Sequence, residues 1–82
     1  MEELTVSVAE SLESRPAALF VQTAGRFKSE IHVRIGDKTV NAKSIMGIIS
    51  LGILDGQDVQ LTAKGEDAQQ AVSELARFLS AR

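Results

Sequence analysis

Cysteine does not occur anywhere in the 82 residues. Its absence excludes a disulfide framework, a thiol nucleophile and a thiolate metal site. Tryptophan and tyrosine are missing as well, leaving three phenylalanines as the only aromatics. The chain therefore lacks the stacking platforms on which single-stranded nucleic acids are bound. Nor is there an excess of positive charge: nine Lys and Arg stand against eleven Asp and Glu, and the basic residues are scattered. A net charge of -2 argues against direct contact with a nucleic-acid backbone. The longest apolar run, Ile45 to Leu54, is interrupted by Gly47, Ser50 and Gly52. It falls far short of the roughly 20 residues that a helix needs to cross a bilayer. The first residues, Met1-Glu2-Glu3-Leu4, have neither a basic n-region nor an apolar h-region, so a soluble, cytoplasmic protein is expected.

What remains is ordinary for a globular protein: 44% apolar and 24% charged residues. The length predicts one domain over residues 1–82, without linker, repeat or low-complexity segment. Leu4, Val6 and Val8 alternate with Thr5, Ser7 and Ala9, the period of a half-buried strand. Pro16 suits the first turn of a helix whose apolar positions are Ala17, Phe20, Val21 and Ala24, with Gly25 as its stop. A second strand places Ile31, Val33 and Ile35 opposite His32 and Arg34. Gly36-Asp37 turns into a short third strand around Thr39 to Ala42, and Ser44 precedes a short apolar helix. Asp55-Gly56 leads to a fourth strand, with Val59, Leu61 and Ala63 on one face. Asp67, with Gln70 three residues on, predicts a cap for a terminal helix lined by Ala68, Val72, Leu75 and Leu79.

The predicted order is βαββαβα. Strands with one apolar face and helices with one apolar stripe must cover each other, which gives an α+β, open-faced two-layer sandwich. His32, the only histidine, falls on the polar face of its strand, where a solvated side chain is expected. Asp55, Glu66 and Asp67 read as turn and cap residues, so no metal site and no cofactor are expected. No nucleophile–base pair or phosphate-binding Gly-rich loop is present, and the chain does not read as an enzyme.

Two motifs fall at helix starts in this order of elements. One is Ser14-Arg15-Pro16-Ala17-Ala18; the other is Asn41-Ala42-Lys43-Ser44-Ile45-Met46-Gly47. With Ser50-Leu51-Gly52 and Gly65-Glu66-Asp67, they resemble the HPr family of the bacterial sugar phosphotransferase system over essentially the whole chain. The resemblance implies a four-stranded antiparallel sheet with three helices on one face. In the family's carriers a histidine just before the Ser/Thr-Arg-Pro motif accepts a phosphoryl group, and the matching position here is Glu13. Imidazole holds phosphate as a labile phosphoramidate. A carboxylate would form an acyl phosphate, which generally needs clustered carboxylates and a cation, and no such cluster adjoins Glu13.

The resemblance therefore points to the family's catabolite-repression branch, which lacks the histidine, carries glutamine in its place and keeps a regulatory serine. Ser44 matches that serine, phosphorylated by HPr kinase/phosphorylase. By itself, a serine before an apolar helix is an N-cap. The resemblance further implies an exposed docking patch of Ile45, Met46, Ile49 and Ser50, completed by Glu13, Arg15, Ala18, Val21 and Gln22, that meets the LacI-type repressor catabolite control protein A. Glu13 reads either as a solvated acid at a helix N-terminus or as a fixed charge imitating phosphohistidine. The alternative function is that of a phosphocarrier whose acceptor histidine has been replaced. Members of this branch also form homodimers by exchanging the first strand.

Overall fold

Period-2 alternation becomes the two faces of one sheet in the computed structural model, which describes residues 1–80. The last two residues of the expected 1–82 unit lie outside the described residues. The elements are β1 (Glu2–Ser7), α1 (Ser14–Ala24), β2 (Glu30–Ile35), β3 (Lys38–Asn41), α2 (Ile45–Leu51), β4 (Asp58–Lys64) and α3 (Ala68–Ser80). Their spatial order in the sheet is β1-β4-β2-β3, with every neighbouring pair antiparallel. The fourth strand of the chain is thus inserted between the first and second. The helices cover one face, as the HPr resemblance implies.

Register fixes which side chains meet. Val33 pairs with Leu61 across β2 and β4, and Ile31 with Ala63. Val33, Val59 and Leu61 are fully buried, as are Phe20 of α1, Ile48 of α2 and Leu75 of α3. Each such large apolar side chain contributes roughly 1.5–3 kcal/mol through burial. The opposite face carries Thr5, Gln60, Arg34 and Thr39 in one row, all polar. His32 lies on this polar face, as its alternation predicts, but is half-buried and not the fully solvated side chain expected. Between the helices, Phe20 meets Phe78 edge-on at 5.6 Å and 74°.

Boundaries depart from the sequence pattern in two places. β1 ends at Ser7, so the buried Val8 leaves the ladder, its N–H donating to the Gln57 carbonyl at 2.9 Å. Leu4, although it points inward, stays exposed because β1 is an edge strand with incomplete cover. β3 spans Lys38–Asn41, leaving Ala42 just beyond it. Gly25 does end α1, but with φ -66°, so its stop needs no left-handed residue.

Asp67 does stand just before α3, its carbonyl accepting the Ala71 N–H at 2.9 Å, but its side chain does not cap that helix. Its carboxylate is spent on the α1–β2 connection, not on the first turn of α3. Lys28 N–H donates to Oδ2 at 2.8 Å, while the Ser29 N–H and the Ser29 hydroxyl both donate to Oδ1. Ser29 is fully buried, so this carboxylate satisfies a polar group that would otherwise be stranded. Gly65 makes the approach possible. At φ +150° it adopts a backbone that side-chain-bearing residues rarely reach, and a Cβ there would lie 2.6 Å from Ser29 Oγ.

The Ser29 hydroxyl and the two backbone N–H groups hold the Asp67 carboxyl below its ordinary pKa of 3.8. A depressed folded-state pKa adds stability above that ordinary value and loses it as pH falls through the folded one. Asp67→Asn is therefore expected to lower the urea midpoint at pH 7. The gap to the unsubstituted chain should close as the pH is lowered from about 5 through the ordinary carboxyl value of 3.8 and below it. A gap that stays constant across this range in urea titrations would count against the carboxylate's role.

Candidate functional site

The start of α1 is held from outside the helix. Glu13 is its extended N-cap residue, with φ -96° and ψ -174°. The side chain makes no capping hydrogen bond, while the backbone carbonyl accepts the Ala17 N–H at 2.8 Å. The preceding residues are fastened to the segment that follows α2. Leu12 N–H donates to the Ile53 carbonyl at 2.9 Å, and the Ser11 hydroxyl donates to Asp55 Oδ1 at 3.0 Å. Asp55 N–H returns a bond to Ser11 Oγ at 3.1 Å. Glu13, Ser14 and Arg15 follow this clasp and are all exposed.

The start of α2 is held by a tight turn. Ser44 N–H donates to the Asn41 carbonyl at 3.1 Å, and Lys43 N–H to Asn41 Oδ1 at 2.8 Å. The Lys43 ammonium reaches the Phe27 carbonyl at 2.7 Å. Ser44 is the N-cap, and its Oγ accepts the Gly47 N–H at 3.1 Å. Among the described hydrogen bonds, that hydroxyl has no carboxylate or imidazole partner that could serve as a base.

α2 is apolar nearly all round, so its orientation follows from what it rests on. Gly47 faces β3, where a Cβ would sit 3.2 Å from Val40 Cβ. That approach turns Ile48 into the core, fully buried. The helix then leaves Ile45, Met46 and Ile49 outward, with Met46 74% and Ile49 51% exposed, and Ser50 beside them. Gly52 ends the helix in the left-handed conformation, φ +67°.

On α1, which packs against α2, Arg15 and Gln22 are exposed and Ala18 and Val21 half-buried. Two further large apolar side chains on α1 and just after α2 are exposed, Leu19 at 47% and Leu54 at 55%. Leu19 follows Arg15 by four residues and precedes Gln22 by three, so helical spacing alone could have found it. Leu54 has no such signal. It sits in the turn after α2, its N–H donating to Gln57 Oε1 at 2.9 Å. Among the described residues no group of three or more metal-ligating side chains exists, and no helix is long and apolar enough to cross a membrane.

The division within α2 has a measurable consequence. Ile48→Ala is expected to cost about 2–5 kcal/mol in urea unfolding. Ile49→Ala should stay within about 0.5 kcal/mol of the unsubstituted chain. Equal losses would mean that both side chains are core.

Known proteins share this chain's sequence and shape. The family model described as the PTS HPr component phosphorylation site matches residues 1–81. The HPr-like protein Crh of Bacillus subtilis is 46% identical over 78 residues, covering 95% of this chain and 92% of that protein. The phosphocarrier protein HPr of Bacillus anthracis superposes with a TM-score of 0.93 at 46% identity, covering 96% of both chains. The crystal structure of B. subtilis Crh, described as a dimer with a swapping domain, gives a TM-score of 0.78. It is also 46% identical, covering 96% of this chain and 91% of that one.

Proposed function

The chain belongs to the HPr family, and from that premise we propose that it is a regulatory member of the catabolite-repression type, phosphorylated on Ser44 and without phosphocarrier activity. One observation carries the reading. The position that a carrier needs for its histidine holds an exposed carboxylate, Glu13, while Ser44 stands at the start of α2 beside uncovered apolar side chains. The phosphotransfer position is lost and the regulatory one is kept.

Phosphorylation by HPr kinase/phosphorylase moves the γ-phosphoryl group of ATP to Ser44 Oγ, which gives up its proton. In the fold this oxygen acts as acceptor, so the proton it loses is not the one in the Gly47 bond. The helix keeps its start while the surface gains about -1.5 to -2 charges beside Ile45, Met46 and Ile49. An anion at that end of a helix is favoured by the backbone dipole. The modified surface, with Glu13, Arg15, Ala18, Val21, Gln22 and Ser50 around it, would then dock on catabolite control protein A. Arg15 is the residue suited to pair with an acidic group of that partner. All DNA contacts would be the repressor's, in keeping with this chain's net charge of -2. Such a role is that of a cytoplasmic protein which binds and is modified, and residues 1–82 would serve as one unit.

The experiment is intact-mass spectrometry after incubation with HPr kinase/phosphorylase and ATP. One added phosphate is expected, and none on Ser44→Ala; an unmodified wild-type chain would remove the proposal. With enzyme I and phosphoenolpyruvate, no phosphate is expected, and an acid-labile or acyl phosphate would restore the carrier reading. If Glu13 imitates phosphohistidine, Glu13→Gln changes the affinity of the phosphorylated chain for the repressor, and an unchanged affinity leaves Glu13 as a solvated acid.

A homodimer by exchange of β1 is also proposed. The crystal structure of B. subtilis Crh, 46% identical to this chain, is described as a dimer with a swapping domain. β1 is an edge strand that pairs with β4 alone, so exchange replaces one antiparallel ladder by the same ladder to a partner's β4. Light scattering on chromatographed protein at rising concentration is expected to resolve monomer and dimer, and a monomer at every concentration would refute exchange.

A further inference from the structure

We infer that Met46 is an oxidation-sensitive modification site whose conversion to the sulfoxide closes the α2 surface to its partners. The inference rests on the regulatory reading of Ser44. With no cysteine in the chain, the only sulfur atoms are those of Met1 and Met46. Met46 is 74% exposed, so a small oxidant reaches its thioether without opening the fold. It stands two residues after Ser44 and between the exposed Ile45 and Ile49. Ser44, Ile45 and Met46 are consecutive at the start of α2, so a partner that engages the Ser44 hydroxyl meets this first turn of the helix.

The reaction with hydrogen peroxide balances without further components. The thioether lone pair attacks one peroxide oxygen, an S–O bond forms and the O–O bond breaks. Sulfur loses two electrons, and the departing hydroxide takes the proton of the oxygen now bound to sulfur and leaves as water. The product is a polar, chiral sulfoxide in place of a flexible apolar group. Ile48, not Met46, carries the helix's contact with the core, and Ser44 and Gly52 hold its two ends. The fold thus survives the change while the docking surface does not, because a partner would have to bury an S=O dipole with no matched donor. Met1 supplies an internal control. It is exposed at the start of β1 and lines a shallow depression of about 210 Å³ with Glu30, His32 and Thr62, away from α2.

The test treats the purified chain with hydrogen peroxide, removes the oxidant with catalase and locates the added oxygen by peptide mass mapping. Phosphorylation of Ser44 by HPr kinase/phosphorylase is then followed as kcat/KM. The chain oxidised at Met46 is expected to lose about tenfold or more, and methionine sulfoxide reductases should restore the rate. Met1 sulfoxide alone should not change it. The Met46→Leu chain, compared with its own untreated sample, should become insensitive to peroxide. Oxidised Met46 with an undiminished rate, or Met46→Leu still losing rate after peroxide, overturns the inference alone. An unoxidised chain that the kinase never phosphorylates overturns the regulatory reading and this inference with it.

Discussion

Everything in this molecule depends on covering one face of a four-stranded sheet with three helices. The two central strands, β4 and β2, supply Val59, Leu61, Ala63, Ile31 and Val33 to that face, and all five are buried. A chain of 82 residues has too little apolar surface to build a second core on the far side. That side is accordingly polar, with Thr5, Gln60, Arg34 and Thr39 across one row. The helix layer is therefore the place where apolar side chains face both ways, inward to the sheet and outward to solvent.

α2 shows how the same constraint creates an exposed apolar surface. It spans seven residues, of which only Ile48 is buried. A helix so short owes its stability to its ends and its anchor more than to propensity. Ser44 supplies the start, Gly52 the stop, and the close approach of Gly47 to Val40 the anchor. Once those three are in place, Ile45, Met46 and Ile49 have nowhere to go but outward. The serine proposed for phosphorylation is thus also a structural cap, and the surface it would regulate is a by-product of how its helix is seated.

The loops that present the two helix starts are fixed by polar contacts between residues distant in sequence. Ser11 and Asp55 exchange two hydrogen bonds across 44 positions. This ties the approach to Glu13 to the exit of α2, so the two halves of the candidate site are held as one surface. Asp67 does the same at the other end of the molecule, where it satisfies the buried Ser29. In both places a side chain that looks local in sequence, a turn acid or a cap, is used over a long range.

Periodicity made the elements legible: alternation at Ile31, Val33, Val59 and Leu61, and helical spacing at Ala68, Val72, Leu75 and Leu79, all identify residues that are buried. The motifs at Glu13 and Ser44 made the family legible, because they depend on residue identity and order alone. The sequence by itself thus determined the element order, the inner face of the sheet and the glutamate that stands just before the Ser-Arg-Pro motif. It did not determine which of Ile45, Met46, Ile48, Ile49 and Leu51 point inward, since a helix apolar all round has no stripe to read. Nor did it reveal the exposure of Leu54 or the long-range use of Asp67. Those were decided by tertiary structure, because burial and hydrogen bonding depend on which segments come to lie beside one another, and local periodicity carries no record of that.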